Sequence, residues 1–238
     1  MATGRRPAEA MSPSDQLPFD LGRQPGHSRD ELVVTAANDA AIALIDRWPD
    51  WPDPLVVLAG PSGSGKTHAA AVWAERASAI STVPASISEE AIAAASQGGA
   101  ILVDAADDAL DETGLFHLIN AARANGGHIL MASRRFPAAW GVSLPDLASR
   151  LKAATVVEIL EPDDFLLTAV ITKLFADRQV QVEPHVTAYV VNRIERSLST
   201  AIAVVDRLDA VALARGTRIT RALAAEVVGA MDEGRLDF

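Results

Sequence analysis

The chain has 238 residues, 49% of them hydrophobic and 22% charged, which suffices to bury a core and excludes disorder for the bulk of it. Lys and Arg number 21 against 31 Asp and Glu, and the formal charge of −10 excludes wrapping duplex DNA through the overall field. With no cysteine and five scattered histidines, a disulfide scaffold, a thiolate nucleophile and sulfur-ligated zinc are excluded as well.

Residues 1–28 carry Pro7, Pro13, Pro18 and Pro25 among Gly and Ser and read as a flexible tail. Arg5 and Arg6 are followed by no apolar stretch, so no secretory signal is predicted. No run approaches the roughly 20 apolar residues of a membrane span, and the lack of cysteine leads to an expectation of cytoplasmic residence. Inside the tail, Gln16-Leu17-Pro18-Phe19-Asp20-Leu21 is an apolar island. A short strand or extended lead-in is expected over 31–35. Apolar residues at helical spacing predict a helix over 38–48, and the apolar run between Pro54 and Gly60 predicts a buried strand over 55–59. A helix over 66–79 and a strand over 82–85 follow, then a helix over 89–97 closed by Gly98-Gly99. A strand over 100–103 runs into Asp104, and a helix over 113–125 ends at Gly126-Gly127. A strand over 128–132, a short helix over 145–151 and a strand over 155–159 complete the alternation. After Glu161-Pro162 only helices are predicted, over 163–178, 184–196, 199–215 and 220–234, with Asp163 and Thr220 as N-caps. Strands alternating with helices, followed by helices alone, imply a parallel α/β layer over 29–160 and an all-α unit over 161–238.

The segment Gly60-Pro61-Ser62-Gly63-Ser64-Gly65-Lys66-Thr67 fits G-x-x-x-x-G-K-[ST], with a predicted strand before it and a helix after it. In such a loop the glycines let backbone N–H groups converge on a phosphate, and the helix N-terminus adds its partial positive charge. Lys66 reaches the β- and γ-phosphates and the Thr67 hydroxyl ligates Mg²⁺. Asp104, ending a buried strand, is expected to hold the same Mg²⁺ through water. The next position, where many such ATPases carry a water-orienting carboxylate, is Ala105. Binding of ADP or ATP with Mg²⁺ is therefore expected, and self-catalysed hydrolysis is not.

Gly65-Lys66-Thr67-His68, Phe116-His117-Leu118-Ile119-Asn120 and Leu144-Pro145-Asp146-Leu147-Ala148-Ser149-Arg150-Leu151 occur in the order seen in the AAA+ module of the replication initiator DnaA. Val34-Thr35-Ala36-Ala37-Asn38 resembles the start of that module. The resemblance covers about residues 30–230. With a short tail in place of a long N-terminal domain, and no helix-turn-helix domain expected after the lid, the chain resembles the Hda/HdaA family of regulatory inactivators of DnaA. The tail island, Gln16, Leu17, Phe19 and Leu21, resembles the short peptide that docks on the DNA polymerase III sliding clamp (its beta subunit).

The resemblance implies an AAA+ P-loop NTPase fold, an α/β parallel sheet sandwiched by helices and followed by an all-α lid. It implies a negative regulator of replication initiation that stimulates hydrolysis of DnaA-bound ATP in trans, giving inactive DnaA-ADP. Arg150 falls on the arginine-finger position, Lys66, Thr67 and Asp104 on nucleotide and Mg²⁺ positions, and Leu32, Val33 and Val34 on the lining of the adenine pocket. His68 belongs to the same loop and helix start. DnaA and the clamp are the implied partners, DNA only through the clamp, with no membrane partner and with homo-oligomers allowed. Three positions depart from the family. Arg134 stands where an Asp usually serves as polar sensor, and Ser199 where the lid carries an arginine, with Arg196 one turn earlier as a substitute nucleotide contact. Ala105 is the third, so the chain's own ATPase is expected to be weak or absent. The alternatives are a self-sufficient P-loop ATPase and a non-catalytic DnaA-binding adaptor.

Overall fold

The computed structural model describes residues 29, 32–106 and 109–232. The tail residues Gln16, Leu17, Phe19 and Leu21 lie outside them. Five strands form one sheet: β1 (Leu55–Ala59), β2 (Ile80–Thr82), β3 (Ala100–Val103), β4 (His128–Ser133) and β5 (Thr155–Glu158), in the order β2-β3-β4-β1-β5. Every pairing is parallel. All of β1 and β3 is buried, which is why both read as unbroken apolar runs rather than as alternating ones.

The two sheet faces divide the side chains by parity. Leu55, Val57, Ile101, Val103, Ile129 and Met131 face α3 (Glu89–Ala95), α4 (Glu112–Asn125) and α5 (Pro145–Lys152). Val56, Leu58, Leu102, Leu130 and Ala132 face α1 (Asp39–Asp46) and α2 (Lys66–Ala77). Local chemistry sets the helix ends. Ser88 accepts from Ala91 N at 3.2 Å, Asp111 from Gly114 N at 2.8 Å and Asp163 from Leu166 N at 2.7 Å, each satisfying a first-turn donor.

Beyond β5 the chain is helical: α6 (Asp164–Asp177), α7 (Pro184–Val191), α8 (Leu198–Arg215) and α9 (Arg221–Asp232). Their core is separate, built from Ile171 and Phe175 of α6, Val186 and Val190 of α7, Val204, Val205 and Leu208 of α8, and Val227 of α9.

Several elements differ from expectation. The second strand is Ile80–Thr82 rather than 82–85, because Pro84 has no N–H for the ladder and the chain doubles back there, Ser86 N donating to Val83 O at 3.1 Å. The lead-in at 32–35 is not a strand. It is tied up by Asn38, whose side chain accepts from Thr35 N at 2.8 Å and donates to Val33 O at 2.9 Å. Helix α7 stops at Val191, five residues before the expected end at Arg196. The Asn192 side chain bonds Ala188 O at 2.7 Å, an offer that competes with continuing the helix. A 3-10 turn at Pro137–Ala139 was not anticipated.

Candidate nucleotide site

The loop 60–65 leaves β1 and delivers the chain to the first turn of α2. Its course demands glycine at two places in particular. A Cβ on Gly60 would lie 2.1 Å from Ile159 O, because the loop passes directly beside the end of β5. Gly63 has φ +71°, in the left-handed region, and a Cβ there would lie 2.1 Å from Ser197 Oγ. Gly60 N donates to Ser133 O at 3.2 Å, fastening the loop to β4.

Ser64 is buried and so is Lys66, at 8% exposure. The Lys66 ammonium donates to Pro61 O at 2.6 Å and to Ser64 Oγ at 3.3 Å, so it is folded into the loop. Pro61, Gly63, Gly65 and His68 are half-buried, and Ser62 and Thr67 are exposed. A buried ammonium, a tight turn of backbone amides and a helix N-terminus at one spot are the donors that anion sites are built from. That combination fits the phosphates of a nucleotide.

Asp104 follows β3, with β4 between it and β1. Its Oδ1 accepts from Ala105 N at 2.8 Å. Ala105 is exposed with φ +54°, so the position after the carboxylate offers only a methyl group on a left-handed turn. Thr67 and Asp104 supply hard oxygen donors of the kind Mg²⁺ takes in small number beside phosphate. Among the described residues no group of three or more His, Asp or Glu could hold a metal by itself. At the end of β4, Ser133 is buried and its hydroxyl donates to Arg135 O at 2.7 Å. Arg134 is exposed beside it.

The lead-in contributes Leu32 and Val33, half-buried, and Val34, exposed. Leu160 was not anticipated here. Its N–H donates to Ala37 O at 2.9 Å, which draws a second exposed apolar side chain to the lead-in next to the phosphate loop. Arg196 forms an ion pair with Asp164 at 2.9 Å, both side chains more than half exposed. The lid instead meets the loop through Ser197 and Leu198, since Leu198 N donates to Gly63 O at 2.7 Å. The serine N-cap was the available sequence signal for that helix start, but nothing local says what the cap would touch.

Arg150 lies on α5, in the layer on the opposite sheet face from α2. Its guanidinium stands 4.9 Å from the centre of the Phe116 ring on α4, and its Nε is buried without a hydrogen-bond partner. Among the described residues no helix is long and apolar enough to cross a membrane.

No protein-family model matches the chain, and no curated protein matches it in sequence. Solved structures do. Domain III of DnaA from Thermotoga maritima superposes with a TM-score of 0.72 at 16% identity, covering 86% of this chain and 96% of that one. The fold is that of the AAA+ ATPases. AMPPCP-bound DnaA from Aquifex aeolicus matches at a TM-score of 0.65 and 16% identity, over 78% of this chain and 66% of its own. The Holliday junction branch migration motor RuvB of Thermotoga maritima matches at 0.63 and 19%, over 86% and 72%. In the AAA+ arrangement the sheet and its helices carry the phosphate loop, and α6–α9 form the lid above it.

Proposed function

We propose that the chain is a regulatory AAA+ protein of the Hda type, holding an adenine nucleotide in the loop 60–67 and acting in trans on ATP bound to DnaA. The placement of Arg150 carries the reading. An arginine in the layer away from α2, supported by an aromatic ring and free of any carboxylate among the described residues, is suited to a neighbouring molecule. A guanidinium presented there adds fixed charge where a γ-phosphate becomes more negative.

Lys66 and the backbone of the loop would bind the nucleotide phosphates, and Thr67 and Asp104 would hold Mg²⁺. Val33 and Val34 would cover the base together with Leu160. Bound Mg²⁺ neutralises phosphate charge. Ala105 leaves no side chain to orient water, so this nucleotide is a structural or switching ligand, ADP or ATP. The tail residues Gln16, Leu17, Phe19 and Leu21 would bring the protein to the sliding clamp, and through it to DNA. The likeness to domain III of DnaA supports a relation to that protein, because modules of one fold can pack in series.

The test is conversion of ATP preloaded on DnaA, with and without this chain and DNA-loaded clamp. Conversion should accelerate only when all three are present. Equal rates with and without the chain would leave at most a non-catalytic adaptor, and rapid turnover by the chain alone would make it a self-sufficient ATPase.

A further inference from the structure

The first turn of α8 rests on the phosphate loop. Leu198 N–H donates to the Gly63 carbonyl at 2.7 Å, and Ser64 N–H donates to Pro61 O at 3.3 Å. The Gly63–Ser64 peptide is thus gripped at both ends, its oxygen by the lid and its hydrogen by the loop itself. Contact is close enough to exclude a side chain at position 63. A Cβ there would meet Ser197 Oγ at 2.1 Å and Ser197 Cβ at 2.8 Å. Ser197 is itself held in place, its Oγ 2.7 Å from Ser199 Oγ and accepting from Thr200 N at 3.2 Å. Position 63 is one of the unspecified positions of the phosphate-loop pattern, so the pattern does not by itself ask for glycine there. The lid does.

We propose that Ser197 and Leu198 are positioning residues of the nucleotide site: they orient the Gly63–Ser64 peptide from the lid, and this grip must break before nucleotide leaves. The proposal rests on the reading of residues 60–67 as a nucleotide loop. The tip of α8 lies on that loop, and its body is built into the lid core through Val204, Val205 and Leu208. Lifting the lid therefore removes the Leu198 donor from Gly63, and keeping the bond keeps the lid down.

Two variants reach the grip from opposite sides. Gly63→Ala drives a methyl group onto Ser197. Leu198→Pro deletes the donor at the first position of a helix, where proline is tolerated. The preceding Ser197, at φ −141° and ψ 129°, already has the extended backbone that a residue before proline adopts. Release of a fluorescent ADP analogue should be roughly three- to tenfold faster in both, the consequence of losing one hydrogen bond. Deuterium exchange of the Leu198 amide, read without nucleotide, should accelerate in Gly63→Ala. Adding Ser197→Gly removes the two nearest atoms, Oγ and Cβ, and leaves the backbone Cα at 3.1 Å, so it should return release and exchange part of the way toward those of Ser197→Gly alone, a rescue that general destabilisation would not produce. Wild-type release rates in both folded variants would overturn the proposal. If wild type itself shows no ADP binding by calorimetry, the nucleotide reading fails and the proposal with it, which is a different result from normal binding with unchanged release.

Discussion

A lysine buried to 8% exposure is tolerated because oxygen atoms surround its ammonium, here Pro61 O and Ser64 Oγ. The same geometry keeps the charge in the loop, where phosphate oxygens can take over those contacts. Lys66→Ala should weaken ADP binding by about 1.5–3 kcal/mol, the range for a hydrogen bond to a charged group, as read by calorimetry. Unchanged affinity would mean that Lys66 serves the fold alone. A second single-residue effect is electrostatic. Arg29 grips Asp46 through two hydrogen bonds of 2.8 Å, and holds its carboxyl below the usual carboxylate range, with Arg76 adding a smaller pull. A depressed carboxylate stabilises the fold above its unfolded pKa, and that contribution is lost as pH falls through the folded value. Both side chains are 41% exposed, so solvent screening limits the pair to a few tenths of a kcal/mol, at most about 1. Arg29→Ala should lower the melting temperature slightly at pH 7, and the difference should begin to shrink as pH falls below about 4 and close below the folded pKa of Asp46.

At the level of single elements, α4 depends on its cap. Asp111 accepts from Gly114 N at 2.8 Å and from Ile87 N at 3.3 Å, so one carboxylate starts the helix and ties it to the loop before α3. Asp111→Ala should cost about 1 kcal/mol in denaturant unfolding, with an unchanged m-value. A loss within error would show that the cap is replaceable by water. The elements that the sequence made legible share a cause. β1 and β3 are buried on both faces and bounded by Pro, Gly or Asp, so their apolar runs had one reading. β2 is a three-residue edge strand, and its ladder position depends on β3, which no local pattern reports. The end of α7 was hidden for a similar reason, since the segment 192–197 is bent to bring Ser197 onto the phosphate loop. The tail island is an element of a different kind, a short peptide proposed to act by docking. Replacing Gln16, Leu17 and Phe19 together with Ala should abolish clamp binding in a pull-down and leave the melting temperature unchanged. Retained binding would remove the docking assignment, and a large drop in melting temperature would place the island against the protein's own core.

For the molecule as a whole, the phosphate loop was legible because its residues are contiguous. The long-range contacts were not. Leu198 on Gly63, Leu160 on Ala37 and Arg150 over Phe116 join residues 34 to 135 positions apart, and only the folded arrangement of sheet and lid brings them together. That arrangement places α2 against one face of the sheet and Arg150 in the layer on the other, as the proposed trans-acting arginine requires. The most direct measurement is single-turnover hydrolysis of ATP on DnaA, with DNA-loaded clamp, comparing wild type with Arg150→Ala. An arginine finger supplies roughly 10³–10⁵ in rate, so Arg150→Ala should erase nearly all of the stimulation while its melting curve matches wild type. Full stimulation by a folded Arg150→Ala protein would contradict the trans-acting role of Arg150.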